Sequence, residues 1–226
     1  MTESNSAPPQ RFVALFDLDG TLTWRDTLLP FLLMFLRRHP ARWLQLWRLP
    51  AVIFDYMART HDRGLLKSQL IRMAMGGAER GAVDGCADAF VSSLRPQGRL
   101  RPAALAVLEA HRAAGDHVVL LSASPDLYVP RIGTALGFDL TLCTEIEWQG
   151  ERLLGALKTP NRYGPEKSRC LAWLRVQYPD LPIIAYGNSL SDLDHMRQAD
   201  RALLVNGSTA ARNAATRCGI GTATWA

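Results

Sequence analysis

Two aspartates one residue apart, Asp17 and Asp19, stand where an apolar run over residues 12–16 gives way to Gly20-Thr21. The run is short and continuously apolar, which predicts a buried parallel strand rather than a surface helix. Strand alternation would send both carboxylates to one side at the strand's end. Two such charges repel, and a hard cation such as Mg²⁺ would relieve the repulsion while tolerating phosphate beside it. A plain strand followed by an Asp-Gly turn fits the same residues. Three further polar points recur down the chain. Ser122 follows the β-rich run 117–121, where its hydroxyl and the next backbone N–H groups suit a phosphate at a helix N-terminus. Lys167 falls in the first turn of an expected helix, where the helix dipole disfavours a cation. Asp192 and Asp194 follow another apolar run, 183–186. Singly these read as a capping serine, an exposed lysine and ordinary helix-start acids. Together they mark the ends of successive strands, which is where open α/β sheets bind ligands.

The elements needed to position them are legible. From Arg101-Pro102 onward, helical and strand-like patterns alternate, which implies a parallel sheet with helices on both faces. Ser124 and Pro125 are expected to start a helix reaching about Leu136. Residues 140–147 and 153–157 flank Gln149-Gly150 as a hairpin, and helices are expected over 165–177 and 191–198. At 226 residues the chain has ample core for one large domain with an insert. The expected division is a core of residues 11–23 and 96–226, a helical cap of 24–95, and a loose tail of 1–10 with no signal peptide. Four scattered cysteines, Cys86, Cys143, Cys170 and Cys218, suit free thiols in a reducing compartment.

The net charge is +5, and residues 25–75 carry nine basic against three acidic side chains, so this stretch accounts for the whole excess. A basic segment beside an acidic cluster suggests an anionic partner. No nucleic-acid recognition motif accompanies it, so nucleic acid is not expected. The run 28–36 is apolar almost all round, yet shorter than the roughly 20 residues a membrane span needs. A second apolar stretch, 43–57, is interrupted by Gln45, Arg48, Pro50 and Asp55. Trp43 and Trp47 are expected mostly to fill the core of a helical bundle, with their arginine neighbours reaching outward. Peripheral contact with an anionic membrane is the competing reading, because Trp and Arg suit that interface.

The order Asp17-Leu18-Asp19-Gly20-Thr21, Ser122, Lys167, then Gly187-Asn188-Ser189-Leu190-Ser191-Asp192 resembles the haloacid-dehalogenase-like (HAD) superfamily. The helical insert resembles the C1 cap of its phosphoserine phosphatase-containing subfamily, IB. Finer details resemble phosphatidylglycerophosphatase C-like members. These are the basic, apolar start of the cap, Ser122-Ala123-Ser124-Pro125, and Asn161 before Gly164 and Lys167. The resemblance implies a Rossmann-like α/β fold with an inserted helical cap, and a Mg²⁺-dependent phosphomonoesterase of small or lipid-linked phosphates. In that scheme Asp17 attacks phosphorus to give an aspartyl-phosphate, and Asp19 serves as acid and then base. Thr21, Ser122, Ala123 and Lys167 bind the phosphoryl group, and Mg²⁺ is held by Asp17, Asp19 and the 187–192 loop through Asn188 and Asp192.

One departure from the resemblance matters. Asn188 stands where many members carry an aspartate that contacts the metal, so Asp192 is expected to supply the missing acid, directly or through water. Two alternatives stay open: a phosphotransferase using the same intermediate, and a non-catalytic phosphate- or membrane-binding protein that has lost the metal. Cytoplasmic residence is the expected location, with peripheral attachment at the inner face of a membrane as the alternative.

Overall fold

The computed structural model describes residues 11–225. The expected N-terminal tail, 1–10, lies outside the described residues. The strand β1 (Val13–Phe16) is central, and every residue in it is buried. It pairs in parallel with β2 (His117–Pro125) on one side and β6 (Ile183–Gly187) on the other. With β3 (Leu140–Thr144), β7 (Arg201–Val205) and β8 (Gly221–Ala223) these form a six-stranded parallel sheet in the order β3-β2-β1-β6-β7-β8. Strand alternation explains the two-sided burial. Ala14 and Phe16 join one apolar cluster, while Val13 and Leu15 join the other.

The first face is covered by α5 (Pro102–Ala113), α6 (Val129–Leu136) and the cap. The second is covered by α7 (Pro165–Gln177) and α9 (Thr209–Arg217), with the short α8 (Leu193–Met196) between them in sequence. Beneath the sheet, Phe16 stacks on Tyr186 with ring centroids 4.6 Å apart. The Tyr186 hydroxyl lies 2.8 Å from His111 Nε2, and His111 Nδ1 is 2.6 Å from Asp116. Asp116 in turn accepts from the Phe12 N–H, so α5 is locked to the strand that carries Asp17.

The cap holds α1 (Leu28–Arg38), α2 (Leu49–Asp55), α3 (Arg63–Met75) and α4 (Arg80–Leu94). Helix α1 buries Phe31, Leu32, Phe35 and Leu36, a one-sided stripe at helical spacing. Phe31 packs on Phe90 and on Tyr128 of the core, so cap and core share one apolar cluster. Each such phenylalanine contributes about 2 kcal/mol by burial. The hairpin β4 (Ile146–Gln149) and β5 (Arg152–Leu157) extends this platform. Its backbone bonds the cap segment through Gly77 N–H to Leu153 O and Arg80 N–H to Glu151 O. At Gly155 the φ is +79°, and a Cβ would lie 2.8 Å from Arg72 Cα, so only glycine lets β5 approach α3 this closely.

Four expectations are corrected. Ser124 and Pro125 do not open a helix: β2 continues to Pro125, which pairs with Thr144, and α6 begins only at Val129. The single strand expected over 140–147 divides into β3 and β4, one in the main sheet and one in the hairpin. The helix expected over 191–198 is a 3-10 turn, Leu190–Asp192, followed by α8. Trp43 and Trp47 are not bundle core. They lie in or beside a 3-10 helix, Pro40–Arg48, that buries no residue, and Trp47 is 77% exposed.

Candidate active site

Asp17 is the first residue beyond β1, and its N–H still bonds to Tyr186 O on β6. Its Oδ1 accepts from Lys167 Nζ at 2.6 Å, and its Oδ2 accepts from the Thr21 hydroxyl at 3.1 Å. Lys167, 3% exposed, projects from the first turn of α7. The same ammonium donates to Asp192 Oδ1 at 2.6 Å. Asp192 is 2% exposed, and its Oδ2 accepts from the N–H groups of Asn188 and Ser189 and from the Ser189 hydroxyl. Asp192 therefore fastens the 188–192 loop to Lys167.

Charge explains why the arrangement is poised. Burial raises the Asp17 carboxyl to about 7, opposed by Lys167 and reinforced by repulsion from Asp192. Burial would raise Asp192 as well, yet Lys167 and then His195 hold it near 2. The Lys167 ammonium is stabilised by both carboxylates against its own desolvation. One cation serving two buried carboxylates leaves the pair short of positive charge.

The chain turns sharply after Asp17, so strand alternation does not govern Asp19. Gly20 has φ +85°, and a Cβ there would collide with the Asn188 amide. Asp19 thus has a different set of partners from Asp17; both carboxylates still reach one cleft, but a turn rather than strand alternation brings them there. Asp19 Oδ1 accepts from the N–H and the hydroxyl of Thr27, both at 2.7 Å, and Oδ2 accepts from the Ser124 hydroxyl at 2.6 Å. The Tyr128 hydroxyl lies 2.9 Å from Thr27 Oγ1, backing the acid with a second layer. Burial, then repulsion from Asp26, raises the Asp19 carboxyl above its ordinary value, against the bonds from Ser124 and Thr27.

Both aspartates line a cleft of about 840 Å³ between the sheet edge and the cap, together with Lys167, Asn188 and Asp192. Arg25 and Asp26 line it from the start of the insert, and Tyr56, Arg63 and Lys67 from deeper in the cap. Lys67 donates to Ala123 O and to Asn161 Oδ1, and its burial lowers the amine to about 8. The Arg63 guanidinium sits 4.6 Å from the Tyr163 ring centroid.

Of the residues singled out from the sequence, Asp17, Asp19, Ala123, Lys167, Asn188 and Asp192 meet in this cleft. Thr21 and Ser122 stand behind it. Thr21 holds Asp17, and Ser122 is wholly buried with its hydroxyl accepting from the Ser124 N–H. Ser124 is the hydroxyl that reaches Asp19, and sequence reading mistook it for a helix cap. Lys67, Asn161 and Thr27 were missed as partners of the site. Lys67 belonged to the basic stretch, and nothing local distinguished it from its neighbours.

The donor set fits a hard divalent cation. When ionised, Asp17, Asp19 and Asp192 against Lys167 sum to −2, and the available donors are carboxylate, carboxamide and backbone carbonyl oxygens. Among the described residues, no three His, Cys, Asp or Glu side chains converge as a preformed metal group. The Asp19 carboxylate already meets three donors and that of Asp192 four, so Asp17 and Asn188 are the freer side chains.

The sequence model for haloacid dehalogenase-like hydrolases matches residues 14–197. Protein CicA of Caulobacter vibrioides is 34% identical over 188 residues, 82% of each chain. A protein of unknown function from Bordetella pertussis Tohama I superposes with TM-score 0.78 at 21% identity, over 94% of this chain and 98% of that one. A phospho-aspartyl intermediate analogue of phosphoserine phosphatase superposes with TM-score 0.62 at 13% identity, over 90% of each chain. At such identities the superpositions establish the shared fold.

Proposed function

The chain belongs to the haloacid dehalogenase-like hydrolase family, and on that premise we propose that it is a Mg²⁺-dependent phosphomonoesterase working through an aspartyl-phosphate on Asp17. The observation that carries the reading is the pairing of Asp17 with Lys167 at the mouth of β1, beside an Asp19 held by different partners. Lys167 opposes the burial that raises Asp17 to about 7 and so favours its ionised, nucleophilic form, and Thr21 orients its Oδ2. Attack forms the bond from an Asp17 oxygen to phosphorus as the ester oxygen departs. Asp19, with its raised pKa, delivers a proton to that oxygen. The resulting carboxylate takes a proton from water, which then attacks phosphorus and frees Asp17.

Lys167 reaches the phosphoryl oxygens and stabilises their charge. Thr27 and Ser124 fix the Asp19 carboxyl so that acid and base steps occur at one place. Asp17, the Asp19 carbonyl and Asn188 would hold Mg²⁺, with Asp192 supporting it through water. When bound, the ion screens the repulsion between the nucleophile and the phosphate. Arg25 and Arg63 at the cleft walls favour a substrate with negative charge beyond the phosphoryl group, which suits a lipid headgroup phosphate. Release of inorganic phosphate from a panel of soluble and lipid phosphomonoesters, with Mg²⁺ and with chelator, tests the reading. Mg²⁺-dependent release from at least one ester is expected. Its absence across the panel, with the protein folded, would overturn the assignment.

A further inference from the structure

The outer strap of the cap has a composition that its surroundings do not explain. Across the 3-10 helix and α2 no side chain is buried. Yet Leu44 is 79% exposed, Trp47 77%, Met57 66% and Phe54 63%. Phe54 and Met57 line an apolar groove on the cap's outer surface. With Leu49, Pro50 and Ile53 these two side chains form a continuous exposed apolar groove, and such a groove marks an interaction site rather than ordinary surface scatter.

The charges beside it identify what it meets. Arg37, Arg38, Arg42 and Arg48 lie on or next to the strap, against Asp55 alone in residues 37–57. Arg37, Arg38 and Arg48 are exposed. The Arg48 guanidinium sits 5.6 Å from the Trp47 ring centroid. Trp43 satisfies its indole N–H internally on Leu36 O, which leaves an outward ring with no polar demand. Rings and aliphatic side chains flanked by arginines match the boundary between lipid headgroups and acyl chains. Two copies of so basic a strap would repel each other, which disfavours self-association. Among the described residues no helix is long and apolar enough to cross a membrane, so contact of this kind stays at the surface.

We propose that the strap of residues 40–57 is a docking element for an anionic lipid bilayer. Its end is continuous with the cleft: Tyr56 lines the cavity that holds Asp17, while the adjacent Met57 lines the outer groove. Docking therefore sets the mouth of the cleft beside the membrane surface. The docking itself is independent of the phosphatase reading, and within that reading it brings membrane-presented phosphates to the cleft without excluding soluble ones.

Co-sedimentation of the full chain with vesicles tests it, using phosphatidylcholine alone and phosphatidylcholine mixed with phosphatidylglycerol. Retention on the anionic vesicles at low salt, weakening as salt rises, is expected. The Trp47→Asp/Phe54→Asp variant should bind at least about tenfold more weakly, with unchanged melting and unchanged turnover of a soluble phosphomonoester. Removing a single strap charge, as in Arg48→Gln, should weaken low-salt binding about fivefold. Failure of wild-type protein to sediment with anionic vesicles would overturn the proposal, as would equal retention of the double variant. A wild-type dimer that the double variant dissociates would instead assign the face to self-association. Because vesicle binding is read without turnover, an inactive protein that still docks would defeat only the catalytic reading.

Discussion

Asp17 and Lys167 are 150 residues apart in sequence and 2.6 Å apart in the fold. The contact ties the end of the central strand to the first turn of α7, and through Lys167 it reaches Asp192 as well. Removing the cation leaves two buried carboxylates facing each other. Lys167→Ala is expected to lose about 3–5 kcal/mol of stability near neutral pH, as when one partner of a buried ion pair is deleted. The sign of the pH effect follows from the raised carboxyl pKa values in the variant. Its folded form keeps protons that the unfolded chain gives up above 3.8, so stability falls as pH climbs through the raised values. Urea unfolding should therefore show a smaller deficit at acid pH than at alkaline pH.

Asn188 places a neutral carboxamide where a further charge would strengthen cation binding. One charge pair at ~4 Å and an effective dielectric of ~20 is worth about 4 kcal/mol. Asn188→Asp should lower the Mg²⁺ concentration for half-maximal turnover by tenfold or more. In chelator it should melt earlier than wild type, because the added carboxylate joins a cluster already rich in negative charge.

Gly20 turns the chain between Asp19 and Thr21 with φ +85°, against the Asn188 amide. Gly20→Ala should cost about 1–3 kcal/mol from backbone strain and displace Asn188. Thermal melting measures the first effect. A raised Mg²⁺ requirement in turnover assays measures the second.

Lys67 reaches the cleft from the cap with an amine lowered to about 8 by burial. It is cationic below that pH and neutral above it. If it attracts the substrate's anion, KM should rise as pH passes 8 while kcat changes little. Lys67→Arg should flatten the rise, since a guanidinium keeps its charge. KM profiles between neutral pH and about two units above the Lys67 pKa decide it.

The sheet and its sequence of polar strand ends were legible because burial on both faces writes itself as continuous apolar runs such as Val13–Phe16. What was not legible depended on partners distant in sequence. Ser124 before Pro125 carries a helix-start signature, but pairing of Pro125 with Thr144 extends the strand and turns the hydroxyl to Asp19. The spacing of Trp43 and Trp47 reports an amphipathic segment without saying what covers it, and among the described residues nothing buries either ring. Lys67 gains its place only when Ala123 and Asn161 are brought beside it. Burial and charge at a site are properties of the packed chain, and single residues carry them weakly.

Asp17 is expected to become covalently phosphorylated during turnover. The direct measurement is mass spectrometry of acid-quenched protein after mixing with a hydrolysable phosphomonoester and Mg²⁺, alongside Asp17→Asn. The expected result is one added phosphoryl group on the peptide containing Asp17, absent from Asp17→Asn, whose turnover is also abolished. Wild-type rates in Asp17→Asn, or a phosphoryl group on any other residue during turnover, would contradict it.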